Sequence, residues 1–398
     1  MRNLLRSWIF LVLFHSALLQ SSIYIIRPMI TYRGLELEAS PTAIGIIGSI
    51  YALLPVVLAV FFGRSVEIIG EKKFLILGSS GVLISAFLLT QAGSLFALSV
   101  FTACAGIAHL AVMVGGQTMV SKKSPQADYD KYFGYYTFSA SLGHMIGPVM
   151  GGVIAGSTGS LPKSTNNAFF LAMLLAAIGV IPILLAKRDT INQRDISKSN
   201  NERVKLSKVL ANPGIRSAII TSLIISSVSD VLVIFLPLLG QDRNFSPVVV
   251  GLLLSLRAAM AMLSRFFLGN LSHRFKARNV MIVSGLASTI SCGLLFVSQN
   301  VITFALIIAL AGFSLGIGQP LTMAWVSRSS QFNERAMAIS LRLTGNRLGQ
   351  FTFPLIAGIT AGSLGTSSVF LVMSATLGVS TLVTAKDYES QKNPENRA

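Results

Sequence analysis

Apolar runs of roughly twenty residues recur along this chain from end to end, broken by short polar loops. Each run is long enough to cross a hydrocarbon core about 30 Å thick as a helix. The runs are continuously apolar, whereas barrel strands would alternate over about ten residues. Twelve spans are predicted: 8–30, 42–62, 74–92, 95–120, 132–156, 166–186, 216–240, 248–268, 280–298, 302–326, 336–360 and 367–385. The fold class is therefore an all-α membrane protein with twelve transmembrane helices. The one long polar stretch, 187–215, separates six spans from six. It reads as a linker lying on the inner leaflet, between an N-terminal bundle at 1–186 and a C-terminal bundle at 216–385. The tail, 386–398, reads as disordered.

Composition agrees with a membrane chain. Hydrophobic residues make up 52% of the 398 residues and charged residues 12%, about half the charge of an ordinary soluble domain. The formal net charge of +17 raises the question of nucleic acid, but the distribution points elsewhere. With both termini inside, the cytoplasmic segments hold Arg2, Arg6, Arg64, Lys72, Lys73, Lys122, Lys123 and Lys131. The linker to Arg216 adds eight more basic residues, followed by Arg274, Lys276, Arg278, Arg328 and Arg335. The outer segments are left with Arg27, Arg33, Lys163 and Arg243. That asymmetry sets the orientation and makes nucleic acid an unexpected partner. Apolar sequence continues past Ser21-Ser22, so the start reads as a retained first span rather than a cleaved signal. Cys104 and Cys292 lie inside spans and read as small buried hydrophobes.

A basic, glycine-punctuated loop occurs twice, about half a chain apart. The first copy runs from Gly63 through Glu67, Gly70, Lys72 and Lys73. The second runs from Gly269 through His273, Arg274, Lys276 and Arg278. Two similar membrane halves can rock about a shared central site, a motion that suits a transporter. These residues resemble the major facilitator superfamily, whose loop between spans 2 and 3 reads roughly G-x-x-x-[DN]-[RK]-x-G-[RK]-[RK]. In the first copy Glu67 stands where the family has Asp, and Ile68 and Glu71 depart from the pattern. In the second, His273 replaces the acid and Lys276 the second glycine. The resemblance implies two pseudo-symmetric six-helix bundles, with this loop latching one conformation: Gly63, Glu67, Gly70, Lys72 and Lys73, with Gly269, Arg274 and Arg278, and Glu67 meeting the start of span 11 near Glu334 and Arg335. The alternative is a solvated charged loop.

In span 5, Gly143, Gly147, Pro148, Gly151 and Gly152 fit G-x-x-x-G-P-x-x-G-G, which looks like the motif of the family's antiporters, mainly exporters. It also suits a plain helix-packing face. Its span 11 counterpart reads as Gly345 to Gly349 with Pro354 beyond. Drug exporters of the family often carry an Arg early in span 4. Here Phe101 to Ala105 contain none.

Ionisable groups inside a bilayer usually mark a pathway or a buried pair. Asp230 is the acid placed deep in a span, on one face of span 7 with Ser222 and Ser226. It is the candidate proton carrier, with Arg257 and Arg347 as coupling partners. The other reading is a fixed ion pair with either arginine. Candidate cavity residues are His15 and Gln20 in span 1, His109 and Gln117 in span 4, His144 in span 5, Gln319 and Trp325 in span 10, and Arg342, Asn346 and Gln350 in span 11. Each His also suits a packing role, Trp325 an interfacial anchor, and Arg342 a snorkelling one. Arginines exceed the one central acid, which favours an anionic or zwitterionic substrate.

The expectation is a monomeric secondary transporter of the inner or plasma membrane. It would move a small organic molecule by alternating access, with protons and membrane lipids as its other partners. Proton-coupled efflux is favoured by the span 5 motif. Proton-coupled uptake of an organic anion or metal chelate is favoured by the missing span 4 Arg and the basic cavity. A non-transporting sensor would need an output domain, which neither linker nor tail supplies. No cofactor is expected. No metal-ligand spacing, phosphate loop or nucleophile elbow marks an enzyme or an ATP-driven pump.

Overall fold

The structure is a computed structural model that describes residues 8–125, 128–186, 206–331 and 334–390. Among them run thirteen helices: α1 (Trp8–Glu36), α2 (Pro41–Ile69), α3 (Glu71–Thr90), α4 (Leu95–Lys123), α5 (Tyr129–Ala155), α6 (Thr165–Leu185), α7 (Leu206–Ala211), α8 (Ile215–Asp242), α9 (Pro247–Phe275), α10 (Ala277–Val297), α11 (Val301–Arg328), α12 (Arg335–Leu364) and α13 (Ser368–Ser390). The twelve long helices coincide with the twelve expected spans, and this is an integral membrane protein. Eleven are apolar enough over 18 residues to be recognised as spans by composition alone. The twelfth, α12, is interrupted by Arg342, Asn346, Arg347 and Gln350, whose side chains face the protein interior. Most of the expected linker lies outside the described residues, and α7 is its end. Helix α13 continues to Ser390, five residues beyond the predicted end of the C-terminal bundle.

Several helices overrun their predicted spans. Helix α1 reaches Glu36, and 29 residues at 1.5 Å each give about 43 Å, well over the apolar core. The extra turns carry pairs suited to the headgroup zone, such as Arg33 with Glu36 at 3.2 Å. Helix starts follow from caps: Ser40 accepts from the Ala43 amide with Pro41 at the first turn, and Ser246 accepts from Val249 with Pro247 behind it. Both devices satisfy amides that have no partner within the helix.

Helices α3, α6, α10 and α13 form the outside. Leu77 and Ile84, Leu174 and Ile181, and Val283 and Ile290 are exposed seven residues apart, so each helix shows lipid one apolar stripe. In the N-terminal bundle α1 packs on α5 and α6, and α3 on α4 and α6. In the C-terminal bundle, interhelical hydroxyl contacts supplement packing. Thr221 and Thr384 are 3.0 Å apart, Ser288 donates to Ser314 at 2.8 Å, and Ser374 donates to the Thr289 carbonyl at 2.7 Å. Such contacts matter in a bilayer, where lipid tails supply no hydrophobic drive for helices to associate.

The two bundles are copies offset by 206 positions, as Pro41 is from Pro247 and Pro148 from Pro354. They meet through α2 against α12, α5 against α9, and α1 and α2 against α8. The two long seams are themselves copies. A Cβ on Gly45 would lie 2.5 Å from the Pro354 carbonyl oxygen, and one on Gly251 2.5 Å from the Pro148 oxygen. Gly152 faces Pro247, and Gly358 faces Gly45, with the same intolerance of a side chain. The counterpart of the α5 motif is therefore Gly349, Pro354 and Gly358. This corrects the expected register on Gly345.

These glycines lie toward the far face, opposite the face where α1 begins and α13 ends, here the terminal face. Helices α4 and α11 make no contact with the opposite bundle among the described residues. The molecule is thus closed at the far face and open between the bundles at the terminal face.

Candidate functional site in the chamber between the bundles

The centre of the molecule is a buried ion pair that ties the bundles together. Arg27 of α1 donates through Nη1 to Oδ1 of Asp230 in α8 at 2.6 Å, with 7% and 11% of the two side chains exposed. One turn further, the Thr31 hydroxyl donates to the Ile234 carbonyl at 2.9 Å. Arg27 also lies over the Tyr51 ring, 4.9 Å from its centroid, a cation–π contact that gains from desolvation. Asp230 does sit deep in its span as expected, but its direct partner is neither Arg257 nor Arg347. Arg27 had been counted with the outer loops because it falls near the end of the first apolar run. Helix α1 continues to Glu36, about two and a half turns past Arg27, which moves Arg27 into the interior.

Arg257 and Arg347 remain within Coulombic reach of the Arg27–Asp230 pair. Arg347 donates to Gln350 Oε1 at 3.0 Å, and Gln350 Nε2 donates to Ser226 at 3.1 Å. Ser222 donates to Asn346 Oδ1 at 2.9 Å. The predicted face of α8 (Ser222, Ser226, Asp230) is thus a ladder whose rungs reach α12 twice and α1 once. Arg265, on α9, is exposed to the opening and donates to Ser141 of α5 at 3.3 Å.

On the N-terminal side His144 stacks on Tyr24 at 3.8 Å and contacts Gln20 Oε1 at 3.3 Å, while Gln20 Nε2 points at Met113 Sδ at 3.1 Å. The Tyr51 hydroxyl lies 2.7 Å from His109 Nδ1. Gln20, His109, His144, Arg347 and Gln350 therefore gather near the ion pair.

Other candidates lie elsewhere. His15 is buried between α1 and α6, its Nδ1 2.7 Å from the Gly179 carbonyl, so it is a packing residue and not a cavity one. Trp325 is 2% exposed in an apolar cluster with Ile215 and Ala218, neither in the cavity nor an interfacial anchor, because the helices around it close over the ring. Arg342 does not snorkel. It is buried and donates to the Gln319 carbonyl at 2.9 Å and to Gln319 Oε1 at 2.7 Å, so both residues are spent clamping α12 to α11. Asn346 is likewise committed to Ser222. Gln117 is exposed on α4, nearer the terminal face.

Among the described residues the chamber therefore holds four arginines against one acid, Asp230: Arg257, Arg265 and Arg347 on the C-terminal wall, and Arg27 on the N-terminal wall beside the tyrosines and histidines. Sequence reasoning missed Arg27, Arg265, Tyr24 and Tyr51. The 206-residue offset was the available signal: it sets Tyr24 against Asp230 and Tyr51 against Arg257.

The sequence model of the Major Facilitator Superfamily matches residues 10–246 and 218–398, two overlapping halves that together span nearly the whole chain. The chain belongs to the major facilitator superfamily. Tetracycline resistance protein, class B, of Escherichia coli is 23% identical over 328 residues, 78% of each chain. Among solved folds, a bacterial homologue of the human lysosomal transporter Spinster in its inward-facing, unoccupied conformation superposes with a TM-score of 0.73 at 15% identity, over 97% of this chain and 98% of the other. The human organic anion transporter MFSD10 superposes with 0.66 at 17% identity, over 96% and 99%. The last two likenesses show the fold.

In this superfamily member the described side chains of the first-copy loop bond within their own bundle. Around Gly63 and Gly269 nothing lies within 4 Å of a built Cβ, and the side chains of Glu67 and Arg335 lie outside the described residues. Glu71 pairs with Lys122 of α4 at 3.2 Å, and Lys72 donates to the Leu184 carbonyl at 2.9 Å and to that of Ala186. Lys73 is exposed. These contacts stay within the N-terminal bundle, as fits a molecule open at this face. The α5 motif is a two-sided packing ridge: Gly143, Gly147 and Gly151 seat α1, while Pro148 and Gly152 seat α9.

Glu334, at the start of α12 where Glu67 was expected to reach, is bound inside its own bundle. Asn212 donates to it at 2.6 Å and Lys208 pairs with it at 3.1 Å, fixing α7 beside α12. Hydrogen bonds from Asn212 and then Lys208 hold its carboxyl below the usual carboxylate range. A depressed acid contributes stability that is complete above its unfolded pKa and is lost as pH falls through the folded value. The difference in thermal midpoint between wild type and Glu334→Gln should be greatest near neutrality and shrink as pH falls below the ordinary carboxylate range and through the depressed folded value. A difference that stays constant across that range would show that the carboxylate charge plays no part.

Proposed function

We propose that this transporter carries a small organic anion by alternating access, with a proton riding on Asp230. The observation that supports this is the arginine excess around a single acid that bridges the bundles. An anion entering from the terminal face meets Arg265, Arg257 and Arg347, then competes with Asp230 for Arg27. A carboxylate that loses its counter-charge inside a bilayer takes a proton in preference to remaining bare. Anion and proton then bind together, and by reciprocity each tightens the other. With the lysine- and arginine-rich terminal face on the cytoplasmic side of the inner or plasma membrane, the chamber is open inward. An inward proton gradient then drives uptake of an organic anion or metal chelate by a monomer.

Proton-coupled efflux is the second reading, favoured by the α5 glycine-proline string and by a relative named for tetracycline resistance, an outcome that exporting a toxic compound produces. Here substrate and proton occupy the chamber in turn.

A thermal-shift screen of organic anions and cationic dyes tests the substrate class. Tight binding of cationic dyes with no response to any anion would overturn it. The strongest anion is then taken into proteoliposomes carrying an internal pH dye. Acidification as the anion enters supports co-transport, and alkalinisation supports exchange. Loss of proton movement in Asp230→Asn, with anion counterflow retained, identifies the carrier.

A further inference from the structure

Outside the chamber, a groove of about 640 Å³ lies between the end of α9 and helices α10 and α11. Its size falls within the roughly 300–1,000 Å³ of pockets that hold small ligands. Leu271, Phe275, Val283, Leu310 and Phe313 line it, with Asn279 on its rim. Val283 and Leu310 are exposed, and Val283 belongs to the lipid-facing stripe of α10. The groove therefore opens to the bilayer and not to the substrate path.

The second copy of the basic loop sits on this groove. Residues 269–279 contain His273, Arg274, Lys276 and Arg278 and no acid, whereas the first copy carries Glu67 and Glu71. Arg274 lies over the Phe275 ring, 5.4 Å from its centroid, which puts a guanidinium beside a ring of the groove wall. Arg274 and Lys276 are both exposed.

The backbone supplies an independent observation. Lys276 has φ 63° and ψ 136°, close to the φ 88° and ψ 142° of Gly70, its equivalent in the first copy. Residues with a Cβ rarely adopt this conformation, and holding one there strains the backbone. Glycine would serve the turn more cheaply, as it does at Gly70. In the first copy Lys72 is tied to carbonyls of α6, and its equivalent Arg278 likewise donates to the Ala385 carbonyl of α13 at 3.2 Å. What the second copy adds is Lys276, an exposed side chain in a strained turn next to Phe275 of the groove wall.

We propose that this groove binds an anionic phospholipid of the leaflet at the terminal face. An acyl chain fills the space between α10 and α11, and the phosphate meets Lys276 and Arg274. Basic pockets between helices at a membrane surface suit such headgroups. The site is independent of the transported substrate and of the direction of transport.

The test is native mass spectrometry of the full chain with phosphatidylglycerol, phosphatidylcholine and inorganic phosphate, beside thermal unfolding in detergent. Wild type should retain phosphatidylglycerol in preference to phosphatidylcholine and gain thermal stability from it, but not from inorganic phosphate. Lys276→Gly should bind phosphatidylglycerol roughly fivefold more weakly, while its unfolding midpoint in detergent alone stays level or rises because the strain is gone. Ala287→Trp, which fills the groove, should weaken binding of both lipids. Equal retention of the two lipids by wild type, undiminished phosphatidylglycerol binding by Lys276→Gly, or equal protection by inorganic phosphate would each overturn the proposal.

Discussion

Asp230→Asn is expected to destabilise the far-closed conformation more than Arg27→Ala does. Breaking a buried ion pair by removing one partner costs about 3–5 kcal/mol, because the other charge is left uncompensated. The two removals are not equivalent here. Without Arg27, Asp230 still has Arg257 and Arg347 within Coulombic reach, and a carboxyl can take a proton. Without the Asp230 charge, Arg27 stays ionised, since a guanidinium does not deprotonate in proteins. It then shares the chamber with three other arginines and no acid. The apolar double variant Arg27→Met with Asp230→Leu should recover most of the loss, because it removes both desolvation penalties together. Thermal unfolding of the four forms at neutral pH provides the comparison. If Arg27→Ala proves the more damaging single change, the pair is not the main counter-charge of this chamber. If the double variant falls by the sum of the two singles, the groups act independently and the bridge has no energetic meaning.

Much of the fold was legible because it depends on local composition. A continuous apolar run specifies a spanning helix without reference to any other part of the chain. Even α12 was legible despite its arginines, since Arg342, Asn346, Arg347 and Gln350 fall on one arc and leave the rest of the helix apolar. The pairing of charges was not legible in the same way. Spacing showed that Ser222, Ser226 and Asp230 share a face, and the structure has all three making polar contacts from it. Spacing alone could not show that this face meets α1, and Arg27 was set aside because its neighbours in sequence suggested the membrane surface. The misplaced candidates share a cause. His15, Trp325 and Arg342 are polar or amphipathic groups in spans, a property common to cavity residues and to buried side chains with a partner on the next helix. Which role applies depends on rotation about the helix axis, fixed by tertiary contacts such as the Gly179 carbonyl. The loop copies were visible as a repeat, but the register between α5 and α12 was not. A G-x-x-x-G match at Gly345–Gly349 competed with the 206-residue offset, and only the paired seams decide for the latter.

Those seams make the second strong prediction. Gly45→Val or Gly251→Val should prevent far-face closure, because the added Cβ would lie 2.5 Å from a backbone oxygen of the opposite bundle. Backbone in a packed helix cannot step aside as a flexible side chain can, and close helix approach in membranes depends on such small residues. The bundles must part at the far face to relieve the clash, which is the motion that alternating access requires. Spin labels at Gln91 and Gln299, exposed in far-face turns of opposite bundles, would report it once Cys104 and Cys292 are replaced. The wild type should show a short distance population, and each valine variant a shift to a longer one. Gly134→Ala is the control, since nothing lies within 4 Å of its Cβ position, and it should leave the distribution unchanged. Because the two seams are repeats of one another, the variants should act alike despite lying 206 residues apart. Opening in one variant alone would mean that a single seam carries the closure and that the pseudo-symmetry is geometric without being energetic. Unchanged distances in both would show that the far face is not held by these contacts at all.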